Sequence, residues 1–333
     1  FQAEDGIRDR SPSRGLGDVY KRQIEIACWD IKGKVLGVPC YELFGGPCRE
    51  TVPFYGNYWF MKTRMGSTSV GEYAESAARA VENGFRALKW SPFGYVAHSM
   101  TPEQEHVTLE CVRRVREAVG ADVHLMVDAH GRFDLPQAKR LAQRFEEFDL
   151  YFMEEPLPPE NLDAFVELKR STRTPIATGE RYVARFQFRE LLEKFCCDYI
   201  QPDAIYTGGM NELRKIAAMA EAYYCPVVPH NCNGPVCTAA SIHAAACMPN
   251  FRILEYIPVP EREDVLIEPL VMKGWGLHPA KKTRAWCRDQ QSGCSINMFT
   301  NLVIWTTSTQ FVRPYCNIAS KPPGIYDTQK QTE

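Results

Sequence analysis

An alternation of short apolar runs with longer amphipathic stretches constrains the fold of this chain more than any other feature. Eight runs have the length and composition of strands: 52–58, 85–90, 123–127, 150–153, 175–178, 199–201, 226–228 and 252–254. The stretches between them, for instance 101–119 and 212–224, carry apolar residues at three- and four-residue spacing, which is typical of amphipathic helices. Repeated strand–helix units predict an α/β fold with a parallel sheet. Eight strands are enough to close a barrel.

An ionisable residue follows each of the last six predicted strands. These residues are Asp128, Glu154, Glu180, Asp203, His230 and Glu255, spaced 23 to 27 positions apart. Active sites of parallel barrels are built where the carboxyl ends of the strands meet, so this spacing predicts one shared site. The alternative is a set of helix N-caps. The glutamates disfavour it, because Glu caps a helix less well than Asp or Ser.

Four motifs carry a resemblance to a known family. They are Val127-Asp128-Ala129-His130-Gly131-Arg132, Met153-Glu154-Glu155-Pro156, Thr178-Gly179-Glu180-Arg181 and Gln201-Pro202-Asp203. Together they resemble the mandelate racemase/muconate lactonizing enzyme branch of the enolase superfamily, and most closely its acid-sugar dehydratases of the galactonate dehydratase type. The resemblance runs from about residue 24 to about residue 282. It implies a TIM-like (β/α)7β barrel over residues 51–256, preceded by an α+β capping domain of which residues 24–50 are only the end.

The resemblance implies that Asp128, Glu154 and Glu180 hold one Mg²⁺. Removal of a proton next to a carboxylate creates an enediolate, and a hard divalent cation held by three carboxylates can stabilise its charge. Glu155 is adjacent to a ligand. Side chains alternate along a strand, so we expect Glu155 to face the helices rather than the metal.

Two histidines are the predicted acid–base groups. By resemblance, His230 is a general base and Asp203 orients its imidazole, as carboxylates commonly do. A purely structural histidine is the alternative. His130 lies two positions after the first metal ligand, where the resemblance implies a general acid that protonates the departing hydroxyl. The alternative there is a surface histidine above Gly131.

Lys89, Glu255 and Arg181 are the predicted substrate-binding residues. Lys89 would be a cation beside the metal and the substrate carboxylate, and a buried lysine paired with a rim carboxylate is the alternative. Glu255 matches the family position that hydrogen-bonds a substrate carboxylate oxygen, with a plain acid of the barrel floor as its alternative.

A departure from the family pattern bears on the reaction. Racemases of this branch carry Lys-x-Lys after the second strand, whereas this chain has Lys89-Trp90-Ser91. Serine cannot act as that base at neutral pH without an activating partner, so racemisation by two bases is disfavoured. Loss of water needs only one base and one acid. The sequence therefore predicts a Mg²⁺-dependent hydro-lyase that converts an acid sugar to its 2-keto-3-deoxy product. A racemase, epimerase or cycloisomerase is the second hypothesis, and an inactive, truncated metal-binding barrel is the third.

Both ends of the chain are expected to lie outside the folded domain. Asp18-Val19-Tyr20-Lys21-Arg22-Gln23 is encoded by GAT GTG TAT AAG AGA CAG, which resembles a transposon end used in sequencing libraries. Residues 1–23 are therefore predicted to be adapter-derived and disordered; a natural polar tail is the alternative. Residues 257–282 have the composition of a barrel exit segment. A shifted reading frame near residue 283 would restore a common ending of this family, so 283–333 is predicted to be an out-of-frame tail. With most of the cap missing, we expect the chain as it stands to be inactive or poorly folded.

Composition limits the partners. A net charge of −2 without basic blocks argues against nucleic acid. No run approaches the roughly 20 apolar residues of a spanning helix, so no membrane partner is expected. Thirteen cysteines without a C-x-x-C pair fit the buried thiols of a reduced, cytoplasmic protein. A small sugar acid is the predicted partner, and the resemblance implies a homo-oligomer for the intact protein.

Overall fold

A computed structural model describes residues 16–60, 69–94, 96, 98–257, 271–273 and 276–278. The strands are β1 (Val52–Gly56), β2 (Ala87–Trp90), β3 (His124–Asp128), β4 (Phe152–Glu154), β5 (Ile176–Thr178), β6 (Tyr199–Ile200), β7 (Leu254–Tyr256), β8 (Val271–Lys273) and β9 (Gly276–His278). The helices are α1 (Leu16–Leu36), α2 (Val70–Glu82), α3 (Pro102–Val119), α4 (Leu135–Phe145), α5 (Leu162–Arg170), α6 (Arg185–Glu193), α7 (Ala204–Thr207), α8 (Met210–Glu221) and α9 (Pro235–Ala246), with 3-10 turns at Glu42–Phe44 and Glu146–Phe148.

The parallel strands close into a ring. Strands β1 to β6 pair in chain order, and β7 returns to pair with β1, with Tyr55 opposite Glu255. Between β6 and β7, Val227 bridges both Ile200 and Phe251. The (β/α) barrel predicted from the strand–helix repeat is therefore confirmed.

The seventh predicted strand, 226–228, is reduced to this single bridge. Its backbone still bonds to both neighbours, since the Val228 amide donates to the Ile200 carbonyl at 2.9 Å and the Val227 carbonyl accepts from Arg252 at 2.9 Å. Pro226 and Pro229 flank the bridge. Proline has no N–H to donate, so a longer ladder cannot form at this seam.

Helix α1 begins inside the segment that we predicted to be disordered. Residues 16–23 are helical, which corrects that expectation for this part of the segment. Adding residues to an existing helix costs far less than nucleating one, so the helix that covers the cap remnant extends toward the N-terminus. The adapter origin of residues 1–23 stays a prediction, and residues 1–15 lie outside the described residues.

A partly buried carboxylate joins α1 to the barrel. Glu25 accepts hydrogen bonds from the amides of Met210 at 2.9 Å and Asn211 at 3.1 Å, at the start of α8. The residue that precedes α8, Gly209, has no side chain to cap the helix, and free N–H groups at a helix start need acceptors. Trp29 holds the same carboxylate through a 2.7 Å bond from its indole nitrogen. Glu25 thus acts as an N-cap from a distant part of the chain.

The exit segment returns to the start of the barrel. Strands β8 and β9 form an antiparallel pair, and β9 lies antiparallel to β1 with Leu277 opposite Val52. The remainder of the predicted exit segment and the whole of 283–333 lie outside the described residues. No helix in the described part of the chain has the length and apolar character needed to cross a membrane.

Candidate metal and acid–base site

Most of the charged side chains of the site lie two residues after an apolar residue that packs inside the barrel. One apolar cluster takes a residue from nearly every barrel strand: Tyr55, Ala87, Met126, Phe152, Ala177, Val228 and Ile253. Two positions after five of these come Lys89, Asp128, Glu154, His230 and Glu255, all buried. Because side chains alternate along a strand, the charged residues share the interior face and lie closer to the C-terminal rim. Strand periodicity therefore brings the predicted site residues together.

Glu180 joins this group through an irregularity at Gly179. Ala177 belongs to the interior cluster, so strict alternation would turn Glu180 outward. Gly179 has a φ of 126°, and a Cβ built there would lie 2.8 Å from the ring of Phe188 on α6. Only glycine adopts this conformation without strain. The glycine therefore shifts the side-chain phase so that Glu180 faces the interior.

The three predicted metal ligands lie together. Carboxylate oxygens of Asp128, Glu154 and Glu180 all fall within 4.8 Å of one another. Burial, and then the charge of Asp128, raise the pKa of Glu154 well above its ordinary value. Its Oε1 is buried and has no hydrogen-bond partner among the described residues. Three close carboxylates with an unused oxygen are costly without a cation, and hard oxygen donors suit Mg²⁺. The residues present fit this ion.

Lys89 is the cation among these carboxylates. Its Nζ lies 2.6 Å from Glu154, 3.0 Å from Glu255 and 3.6 Å from Asp128. Burial lowers the pKa of a lysine, but the charges of Glu154 and Glu255 outweigh it and raise the pKa of Lys89 well above its ordinary value. Lys89 is therefore a permanent positive charge and not a proton acceptor. Its contacts make it a buried partner of the rim carboxylates, and its role as a cation beside a bound metal and a substrate carboxylate stays a prediction.

His230 and Asp203 form the predicted dyad. The Nδ1 of His230 lies 2.7 Å from Asp203 Oδ2, and its Nε2 lies 3.3 Å from Glu180 Oε2. Burial opposes a charged imidazole, but Glu180, Glu255 and Asp203 together raise the pKa of His230 well above its ordinary value. An imidazole bonded through Nδ1 to a carboxylate presents Nε2 to the reacting group. That nitrogen faces the metal ligands.

Glu255 is held ionised at the centre of the site. It accepts a hydrogen bond from the side chain of Asn57 at 2.7 Å and another from the backbone N–H of Asn231 at 2.9 Å. Burial raises the pKa of a carboxyl group, yet the charges of Lys89 and His230 lower that of Glu255 to about 2. Substrate binding by Glu255 stays a prediction, and its environment keeps it an acceptor at any pH near neutrality.

His130 lies on the solvent side of the first ligand. Its backbone amide donates to Asp128 Oδ1 at 2.9 Å, and its Nε2 lies 3.1 Å from Asp128 Oδ2. The side chain is 47% exposed, and the residue has a φ of 52°, a conformation that non-glycine residues adopt at some cost and often at functional sites. The imidazole therefore reaches the metal site from the open side of the barrel, away from the buried His230.

Arg181 supports the loop that carries His130. Its Nε lies 2.8 Å from Glu155, and its Nη2 donates to the His130 carbonyl at 2.7 Å. Glu155 lies outside the ligand trio, as alternation along β4 led us to expect. Arg181 is 42% exposed, and its predicted contact with substrate stays a prediction beside this structural role.

Sequence reasoning missed three asparagines that support the charged groups. Asn57 and Asn231 hold Glu255, and the Nδ2 of Asn233 donates to Asp203 Oδ2 at 3.0 Å. Asn57 could have been found, because it lies two positions after the interior residue Tyr55. The other two follow His230 in a loop, where no periodicity applies.

Magnesium binding is expected to release a proton and to weaken as the pH falls. Because the pKa of Glu154 is raised, protons compete with the metal for this carboxyl more strongly than for an ordinary glutamate. Titration calorimetry at several pH values, in two buffers of different ionisation enthalpy, should show proton release on Mg²⁺ binding that grows as the pH falls. Identical heats in the two buffers would contradict the expectation.

Comparison with known proteins gives one family. Residues 72–310 match a model described as enolase C-terminal domain-like. D-gluconate dehydratase of Thermoproteus tenax is 39% identical over 232 residues, which cover 70% of this chain and 46% of that protein. D-xylonate dehydratase of Haloferax volcanii is 41% identical over 242 residues, 70% of this chain and 58% of the relative. The chain thus spans about half the length of the curated relatives it matches.

Solved structures agree with this match. A mandelate racemase/muconate lactonizing enzyme-like protein from Rubrobacter xylanophilus is 37% identical with a TM-score of 0.72, covering 79% of this chain and 73% of its own. A mandelate racemase/muconate lactonizing enzyme from Sulfitobacter sp. is 31% identical with a TM-score of 0.74, covering 78% of this chain and 68% of its own.

Proposed function

We propose, on the premise that this chain belongs to the enolase C-terminal domain-like family in its mandelate racemase/muconate lactonizing enzyme branch, that the intact protein is a Mg²⁺-dependent acid-sugar dehydratase. The relatives described above are named as dehydratases of D-gluconate and D-xylonate, which supports a sugar acid as the substrate. The reaction would remove the proton at C2 and the hydroxyl at C3, and yield a 2-keto-3-deoxy acid.

One observation carries this proposal: the trio lies between two histidines in different environments. His230 Nε2 is 3.3 Å from Glu180, and His130 Nε2 is 3.1 Å from Asp128. A dehydratase needs one group to take the C2 proton and another to protonate the departing hydroxyl. The buried histidine with its carboxylate partner suits the first task. The exposed histidine, which can exchange protons with water, suits the second.

The residues of the chain account for each proton. Lys89 would contact the substrate carboxylate and offset its charge. His230 would accept the C2 proton at Nε2 while Asp203 holds Nδ1. His130 would donate a proton to the C3 hydroxyl as the C–O bond breaks, so that water leaves and an enol remains. The enol would take a proton at C3 from water and lose its hydroxyl proton to water, which gives the 2-keto acid. A Mg²⁺ bound by the trio would supply positive charge for the enediolate oxygens.

The position of Ser91 supports dehydration over racemisation. Its Oγ lies 3.5 Å from the guanidinium of Arg132, which has no lone pair with which to accept the hydroxyl proton. A serine needs an adjacent general base to become reactive. Among the described residues, the position of Ser91 therefore offers no second base.

A panel of aldonic and aldaric acids tests the proposal. The chain as it stands, and the same chain joined to a complete capping domain, are incubated with each acid and Mg²⁺, and the 2-keto acid is measured. We expect the completed protein to form the 2-keto acid, and we expect chelation of Mg²⁺ to abolish this activity. Little is expected from the shorter chain, because a cap that closes the barrel excludes water and contributes remote binding energy. No keto acid from any substrate with the completed protein would refute the proposal.

Replacing His130 with asparagine should separate the two proton transfers. His130→Asn leaves the base intact, so the substrate should still exchange its C2 proton with D₂O, while dehydration falls by about a hundredfold or more. The exchange is followed by NMR and the keto acid by derivatisation. His106→Asn, at an exposed position on α3, is the matched control and should alter neither. Unchanged dehydration in His130→Asn would remove this residue from the mechanism.

A further inference from the structure

We propose that Asn233 is a positioning residue for the His230–Asp203 dyad, an inference that rests on the proposed function of His230 as the base. Its side-chain amide donates to the same carboxylate oxygen that His230 uses, and so determines how Asp203 meets the imidazole. Sequence reasoning did not select this residue, and its role follows from the contacts of Asp203.

The two carboxylate oxygens of Asp203 have different hydrogen-bond partners. Oδ1 accepts from the amides of Ile205 at 2.6 Å and Tyr206 at 3.1 Å, which fixes the carboxylate at the start of α7. Oδ2 faces the loop after the seventh barrel strand, where His230 Nδ1 lies at 2.7 Å and Asn233 Nδ2 at 3.0 Å. The side chain is fully buried. Each oxygen therefore meets two neighbours, and water does not compete for them.

The chemistry of the contact sets the direction of the hydrogen bonds. An ionised carboxylate can only accept, so the amide of Asn233 must turn its NH₂ group toward Asp203. With that donor on Oδ2 and two backbone amides on Oδ1, Asp203 is held as an acceptor, and the imidazole keeps its proton at Nδ1. His230 then gains or loses its other proton only at Nε2, the nitrogen that faces Glu180.

Asn233 is itself held in place. It lies directly before Gly234, the N-cap of α9. The amide thus links the start of α9 to the start of α7, and the dyad is oriented by two helices. Hydrogen bonds from an uncharged donor to an ionised group are stronger than neutral pairs, which makes this one effective in orienting Asp203.

The test uses the whole chain, and follows the Nδ1 proton of His230 by NMR after ¹⁵N-histidine labelling, at one fixed pH and without substrate. His230→Asn identifies the resonance. In Asn233→Leu, a change of similar size that removes the donor, and in Asn233→Ala, exchange of this proton with water should accelerate by about tenfold or more, as expected for loss of one charge-assisted hydrogen bond. Circular dichroism establishes that each variant is folded.

Asn250→Leu is the matched control. This amide donates through Nδ2 to the carbonyls of Ala217 and Cys225, so its loss reports a merely structural effect and should leave the resonance unchanged. An unaltered Nδ1 resonance in either folded Asn233 variant would overturn the proposal, as would absence of the resonance from the parent chain. Because no substrate is present, failure of the dehydration assay would leave this result untouched.

Discussion

Replacing Glu154 with glutamine is expected to abolish both Mg²⁺ binding and dehydration. Glu154 is the most buried of the three ligands and its Oε1 has no other partner among the described residues. The substitution keeps the size of the side chain but removes a negative charge from a hard oxygen site. We expect Mg²⁺ affinity to fall by at least about a hundredfold and turnover by at least about a thousandfold. Titration calorimetry and the keto-acid assay measure the two effects.

Glu155→Gln is the matched control, because it makes the same change at the next residue. Glu155 faces Arg181 rather than the trio, so Mg²⁺ affinity should stay within about threefold of the parent. Burial and then the charge of Glu180 raise the pKa of Glu155 well above its ordinary value, which makes the neutral side chain easier to accommodate. Equal losses of Mg²⁺ affinity in the Glu154 and Glu155 variants would contradict the assignment of Glu154, rather than Glu155, as a metal ligand.

Replacing His230 with asparagine should eliminate the first proton transfer while leaving the metal bound. The variant keeps a side chain that can donate to Asp203 but has no nitrogen to accept a proton, so both C2 exchange in D₂O and dehydration should fall by about a thousandfold or more. Mg²⁺ affinity should change by less than about tenfold, because His230 is not one of the three ligands. The combination of lost exchange with retained metal is specific to a base.

His243→Asn controls for loss of a buried histidine. His243 stacks on Tyr41 with ring centroids 5.4 Å apart, and burial lowers its pKa to about 4, so it is neutral at working pH and lies on α9 away from the dyad. Thermal unfolding measures the stability of both variants. Only His230→Asn should lose exchange of the C2 proton. Retained exchange in His230→Asn would assign proton abstraction to another residue.

Much of the site followed from the sequence because strand geometry is periodic. Lys89, Asp128, Glu154 and His230 occupy equivalent places in four of the strand–helix units. Because side chains alternate along a strand, each of the four faces the interior of the barrel. Glu180 departs from this rule, and only the left-handed backbone at Gly179 explains how it joins the others. The family motif predicted its position, whereas alternation alone would have placed it on the helix side.

Contacts that depend on loops and on distant segments could not be predicted in the same way. Asn231 and Asn233 follow a proline-flanked bridge, where neither helical nor strand periodicity determines the direction of a side chain. The hydrogen bonds of Glu25 join residues 185 and 186 positions apart, and an acidic residue within a helix carries no local sign of such a partner. Helix α3, by contrast, was predicted within one residue of its observed start from the spacing of its apolar residues, and the structure shows a capping box at Thr101 where the helix begins.

The carboxylate of Glu25 limits how freely caps and barrels can be exchanged between relatives. We predicted a domain boundary at residue 50 from the sequence, but helix α1, which precedes that position, supplies the acceptors for the first turn of α8. A hybrid protein that joins a foreign cap to this barrel must therefore bring an acid at the equivalent place, or leave two amides without partners. Recombination of these domains is consequently restricted to caps that match this barrel, even when the catalytic residues are identical.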